Sequence, residues 1–220
     1  MTEIRDRWLT PGPQPNGLQA VPDGLWVIDQ TDNHLYKLSY ADGSVISRVP
    51  TEGNHSSGVT HDGESAWVAS TFGCVLLKLE DDGTTAASYE TPGVGVIETE
   101  DAEWIRATGA HGMHWVDPEN MWVAVPPAQK LFLVDPATMR VKHSVPAPGR
   151  RPHGVFVHQG QLWCAETEQK RICRLDSETG DVIAKIDVPD PEVHGMTFYD
   201  GDVWFCCANT RRVCTFPMPS

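Results

Sequence analysis

Apolar and polar residues alternate along this chain in short runs of about five, separated by turn residues, and no stripe of helical period reaches a useful length. The first such set predicts strands over Asn16 to Val21, Leu25 to Asp29, His34 to Ser39 and Ser44 to Val49, with Pro22-Asp23-Gly24 and Asp42-Gly43 as turns. Asp-Gly recurs at Asp62-Gly63, Asp82-Gly83 and Asp200-Gly201, where tight hairpins need positive φ. The whole four-strand unit then repeats. Its first strand carries Gly17, Gly58, Gly112, Gly154 or Gly195 near its start, and about nine residues later come Trp26, Trp67, Trp122, Trp163 and Trp204. The tryptophans are spaced by 41, 55, 41 and 41 residues. A period in that range, filled with short antiparallel strands, predicts an all-β fold: a five-bladed β-propeller with four strands per blade.

The repeats start near residues 16, 57, 111, 153 and 194, and together they predict one domain over residues 1–220. The fifth repeat stops after its third strand, near Arg212 to Phe216, so its outer strand has to come from elsewhere. Ile4 to Leu9 supplies it, because the stretch that follows, up to Asn16-Gly17, matches the exit before His153-Gly154. Pairing the two ends in one sheet closes the ring and removes an exposed edge. The long interval is explained by an insertion within 93–106, between the outer strand of the second blade and the inner strand of the third. Long connections in compact domains are commonly functional.

Composition narrows the partners. The net charge is −13 without a cluster of Lys or Arg, which argues against a nucleic-acid backbone or an anionic membrane as partner. No apolar run approaches a membrane span, and the charged start Met1 to Trp8 lacks the apolar core of a signal peptide, so a cytoplasmic location is expected. The six cysteines then read as buried thiols, four of them (Cys164, Cys173, Cys206 and Cys214) in predicted strands.

The residues before the five glycines carry the candidate chemistry. They are Asn16, Ser57, His111, His153 and His194, and since Asn and Ser also fill the position, the fold does not demand imidazole there. Inner strands line the axis of a propeller, so consecutive blades are expected to bring three imidazoles to one mouth. That arrangement suits a divalent metal such as Zn, Fe, Mn, Cu or Mg, with open positions for water or a small-molecule substrate. Glu166 and Asp29, three residues after their tryptophans, are expected at the same mouth as acid/base groups, with His55 within reach of it. Asn16, Ser57, Arg150, Arg151 and, from the insertion, Glu98 and Trp104 are candidates for holding substrate. An all-imidazole site should lose metal as pH falls below about 6.5.

The blade text from Pro152-His153-Gly154-Val155 through Leu162-Trp163-Cys164-Ala165-Glu166 to Arg171-Ile172-Cys173-Arg174-Leu175-Asp176 resembles the virginiamycin B lyase family, within the wider NHL and SMP-30/gluconolactonase-like propellers. The resemblance covers nearly the whole chain and implies a divalent metal at the mouth, held by His and Glu, that assists elimination. On it His153, His194 and Glu166 would take comparable places, although that family has seven blades and this chain five. Plant-type glutaminyl cyclotransferases share the five-blade rhythm, but their glutamine-glycine opening is histidine-glycine here. The expected function is therefore a metal-dependent lyase or hydrolase. A non-haem metal oxygenase or oxidase and a non-catalytic binding propeller are the alternatives.

Overall fold

The computed structural model describes residues 3–97 and 106–218. Glu98 and Trp104 lie outside the described residues. Strand β1 (Arg5–Leu9) precedes the first blade, β2 (Pro15–Val21), β3 (Gly24–Asp29), β4 (His34–Leu38) and β5 (Val45–Pro50). The second blade is β6 (Ser56–His61), β7 (Ala66–Ser70), β8 (Val75–Leu79) and β9 (Thr85–Glu90). A short ribbon, β10 (Gly95–Val96) with β11 (Ala107–Thr108), frames the insertion. The third blade is β12 (Gly112–Asp117), β13 (Asn120–Val125), β14 (Lys130–Val134) and β15 (Val141–Pro146), and the fourth is β16 (Pro152–His158), β17 (Gln161–Glu166), β18 (Arg171–Leu175) and β19 (Val182–Asp187). The last consists of β20 (Met196–Tyr199), β21 (Asp202–Cys206), β22 (Arg212–Pro217) and, as its outer strand, β1.

The ring closes as the sequence predicts: β1 pairs antiparallel with β22, placing Arg5 opposite Thr215 and Leu9 opposite Arg212. The five blades form a five-bladed β-propeller. Its core is divided into wedges between neighbouring sheets. Ile28, Leu35 and Trp26 of the first blade meet Val59, Val68 and Leu77 of the second, and Phe156, Trp163 and Ile172 of the fourth meet Val203, Phe205 and Phe216 of the fifth. The closing wedge joins Leu18, Leu25 and Tyr36 to Trp204 and Val213, with Trp8 packed against it. The repeated tryptophan is thus a wedge residue, and four of the five are buried. All six cysteines are free, and Cys164, Cys173, Cys206, Cys207 and Cys214 are buried.

The hub explains the repeated glycine. A Cβ on Gly195 would lie 2.5 Å from the Asn16 carbonyl oxygen, and one on Gly112 would overlap the His153 carbonyl oxygen. Each inner strand therefore packs its glycine against the next blade's backbone. The void on the axis, lined by Gly17, Gly58, Gly112, Gly154 and Gly195, is only about 10 Å³. That is room for one water. The glycine packing thus leaves little free space at the centre of the ring.

Candidate active site

The residue before each hub glycine is aimed by a local irregularity. In the first blade pairing jumps from Pro15 opposite Asp29 to Gly17 opposite Ile28, leaving Asn16 as the extra residue of a bulge. Ser57 occupies the same kind of bulge between Ser56 and Gly58, and His153-Gly154 fall in the shift between Pro152 and Val155. Bulges re-aim a side chain out of the two-fold alternation of the strand. The consequence is a cavity of about 360 Å³ bordered by Asn16, His111, His153 and His194 and by an outer tier of Gln14, Gln30, His55, Arg151, Glu192 and Asn209.

The three imidazoles converge as expected. The His111 and His153 rings meet edge to face with centroids 4.6 Å apart, and His153 and His194 do so at 5.0 Å. His111 Nδ1 lies 3.3 Å from His153 Nε2. Whichever of the two carries the shared proton, the pair retains one unused N–H and one unused lone pair, because His111 Nε2 and His153 Nδ1 are buried without a partner. His194 is differently placed. Its Nδ1 accepts the Ala208 N–H at 3.5 Å, and the Glu192 backbone bonds its ring.

Burial, reinforced by the Arg151 charge, lowers the His111 pKa to about 3 and that of His194 to about 4. Burial also holds His153 well below the usual value, with His111, His194 and Arg151 adding to it. All three rings are neutral across the physiological range. Proton competition for a metal at these rings would accordingly set in below the pH of about 6.5 expected from the sequence.

Neutral imidazole is the form that binds a metal, and two nitrogens about 2.0–2.1 Å from one tetrahedral ion stand roughly 3.3 Å apart. The 3.3 Å between His111 Nδ1 and His153 Nε2 fits that spacing, with the ion taking the place of the hydrogen bond that joins the two nitrogens. Among the described residues no three His, Cys, Asp or Glu side chains are disposed to hold one ion together. The fit is therefore to two imidazoles, with the remaining positions open to water or substrate.

The expected carboxylates are placed elsewhere. Glu166 is fully buried, accepts the Arg151 N–H at 2.7 Å through Oε1 and the Gln169 N–H at 3.3 Å through Oε2. Asp29 accepts the N–H groups of Gln14 at 2.5 Å, Thr31 at 2.9 Å and Asp32 at 3.0 Å. Each ties the loop entering its blade to the turn after the second strand, as Ser70 does for Asn54 in the second blade. Neither is among the described residues that border the cavity. Arg150 pairs with Glu168 at 3.8 Å and borders a separate cleft with Val96, Ile97 and Gln129. Ser57 is buried, its hydroxyl 3.5 Å from the His55 carbonyl oxygen.

His55, at φ 54°, reaches the cavity and stacks on Phe72 with centroids 4.0 Å apart. The Arg106 guanidinium lies over that phenyl ring at 4.5 Å, and burial followed by this charge lowers the His55 pKa. Sequence reasoning missed Glu192, Gln14, Gln30 and Asn209. A signal for two of them was present, since Gln14 and Glu192 stand two residues before Asn16 and His194, as His55 and Arg151 stand before Ser57 and His153. That offset is a second tier of the same mouth.

No protein-family model matches the chain, and no curated protein matches it in sequence. Solved structures share its fold. Glutaminyl cyclase from Myxococcus xanthus superposes with a TM-score of 0.74 at 13% identity, covering 97% of this chain and 93% of that one. Virginiamycin B lyase from Staphylococcus aureus gives a TM-score of 0.61 at 14% identity with full coverage of both chains. A luciferin-regenerating enzyme gives 0.63 at 12% identity, covering 99% and 96%. The chain has a virginiamycin B lyase-like propeller fold, and at these identities the likeness concerns the fold.

Proposed function

We propose that the cavity is the active site of an enzyme that performs elimination or hydrolysis on a small organic substrate with the help of a divalent metal ion. The observation that carries this reading is the pair of neutral imidazoles, His111 and His153, which border a polar cavity with His111 Nδ1 and His153 Nε2 3.3 Å apart. These two rings would hold the ion, and His194, whose ring is engaged by backbone groups, borders the substrate. When bound, such an ion polarises a carbonyl or ester oxygen and acidifies a water. Glu192 is the carboxylate that borders the cavity, in the place expected for Glu166. The Asn209 side-chain amide donates to it at 3.0 Å, which fixes the carboxylate for proton transfer. Asn16 is held by Gln30, its Nδ2 donating at 2.8 Å, and keeps a buried carbonyl oxygen unpartnered for a substrate donor.

Elemental analysis of protein purified without chelator or added metal tests this. We expect about one divalent ion per chain, lost in His153→Ala with the fold intact. It should be retained in Glu166→Gln, which instead loses about 1–3 kcal/mol of stability through its weakened backbone hydrogen bonds. Absence of metal from the unaltered protein, or equal metal in His153→Ala, would contradict the reading.

A second reading is intramolecular acyl transfer of an amide substrate. It is favoured by the amide side chains of Gln14, Asn16, Gln30 and Asn209 around the cavity and by the near-complete mutual coverage with the glutaminyl cyclase structure. Ammonia release from a peptide with amino-terminal glutamine distinguishes it from the first.

A further inference from the structure

Arg151 is the charge in this cavity whose partner is missing. Its backbone N–H is taken by Glu166, but its guanidinium makes no hydrogen bond or ion pair among the described residues. Three other arginines are engaged: Arg5 with Asp202, Arg212 with Asp6 and Asp190, and Arg211 with the Thr10 carbonyl oxygen. The cavity's own carboxylate, Glu192, is occupied by Asn209 instead. Arg151 is half-buried and close enough to the three imidazoles for its charge to act on each. A cation withdrawn from water against neutral rings is costly without a counter-charge.

We propose that the missing counter-charge is carried by the substrate, and that the cavity takes a small carboxylate whose oxygens pair with the Arg151 guanidinium. The guanidinium is a planar fork of donors that matches a carboxylate in two parallel hydrogen bonds. Arg106, over the Phe72 ring on which His55 stacks, adds a second positive charge beside His55. The volume of about 360 Å³ admits a small molecule. This inference rests on the reading of the cavity as a substrate site, not on its metal.

Calorimetric titration with succinate and with inorganic phosphate, on the unaltered protein, Arg151→Gln and Arg151→Lys, tests it, with metal content and melting temperature measured on the same samples. Succinate should bind the unaltered protein, roughly tenfold or more weakly in Arg151→Gln, and with partial recovery in Arg151→Lys. Phosphate should bind more weakly than succinate. No succinate binding, equal affinity in folded Arg151→Gln, or a preference for phosphate would overturn the assignment. Arg151-dependent binding to protein that holds no metal would support it while removing the metal reading. Metal present as expected without succinate binding would do the reverse.

Discussion

Gly112→Ala is expected to leave no stably folded protein. The new Cβ would fall on the His153 carbonyl oxygen, which is backbone of the neighbouring inner strand and cannot swing aside as a side chain does. In a five-blade ring that strand is fixed by the next one, and so on around the axis, so relief at one contact compresses another. Overpacking a rigid interior costs about 1–3 kcal/mol where side chains can adjust, and more where backbone must move. Against a total stability of about 5–15 kcal/mol this is enough to unfold the chain or open the ring. Gly58→Ala is the informative comparison, because its Cβ would sit 3.2 Å from the Gly112 Cα, a distance that a shift of a few tenths of an ångström relieves. Urea unfolding followed by circular dichroism should show a modest loss for Gly58→Ala and no cooperative transition for Gly112→Ala. Native-like midpoints for both would mean that the hub is looser than its glycines indicate.

Stability is also expected to fall steeply as pH drops below about 6.5. His111 and His194 have folded pKa values of about 3 and about 4, and His153 is held well below its usual value, all chiefly by burial. In the unfolded chain each titrates near 6.5. Between these limits the unfolded state binds more protons, so stability rises with pH, is complete above about 6.5, and is lost as acid protonates the unfolded chain. Each group contributes a slope approaching 1.4 kcal/mol per pH unit inside its window, and three together remove several kcal/mol by pH 5. Urea midpoints at pH 8, 7, 6 and 5 measure it, and His153→Gln should flatten the decline. A midpoint unchanged from pH 7 to pH 5 would show that these rings are not buried neutral.

The fold was legible because the period is written twice, in the hub glycine and in the wedge tryptophan, and because the short last repeat left one strand to be supplied by the amino terminus. The imidazole cluster was legible for a related reason: residues at one repeat position must meet near one axis. What the repeat could not show is direction within a loop. Glu166 and Asp29 share a repeat position, as foreseen, but a residue at the end of a second strand can turn toward the cavity or back onto loop N–H groups. The latter was realised because those buried N–H groups have to be satisfied. Glu192 escaped notice because the tier two residues before the hub is chemically mixed, holding Gln14, His55, Arg151 and Glu192, so no residue type recurs there to mark it. The imidazole pKa values were likewise out of reach, since burial at the hub depends on the glycine packing beneath the cavity.

Three imidazoles from consecutive blades meet as neutral, buried groups, and an ion would be held between His111 and His153. Long-range proton–nitrogen NMR of the histidine side chains at pH 5.5, before and after one equivalent of zinc, reads both properties at once. Fixed neutral tautomers are expected for His111, His153 and His194, with zinc-induced shifts concentrated on His111 and His153. Imidazolium signals from these rings at that pH, or resonances that zinc leaves unmoved, would contradict this arrangement.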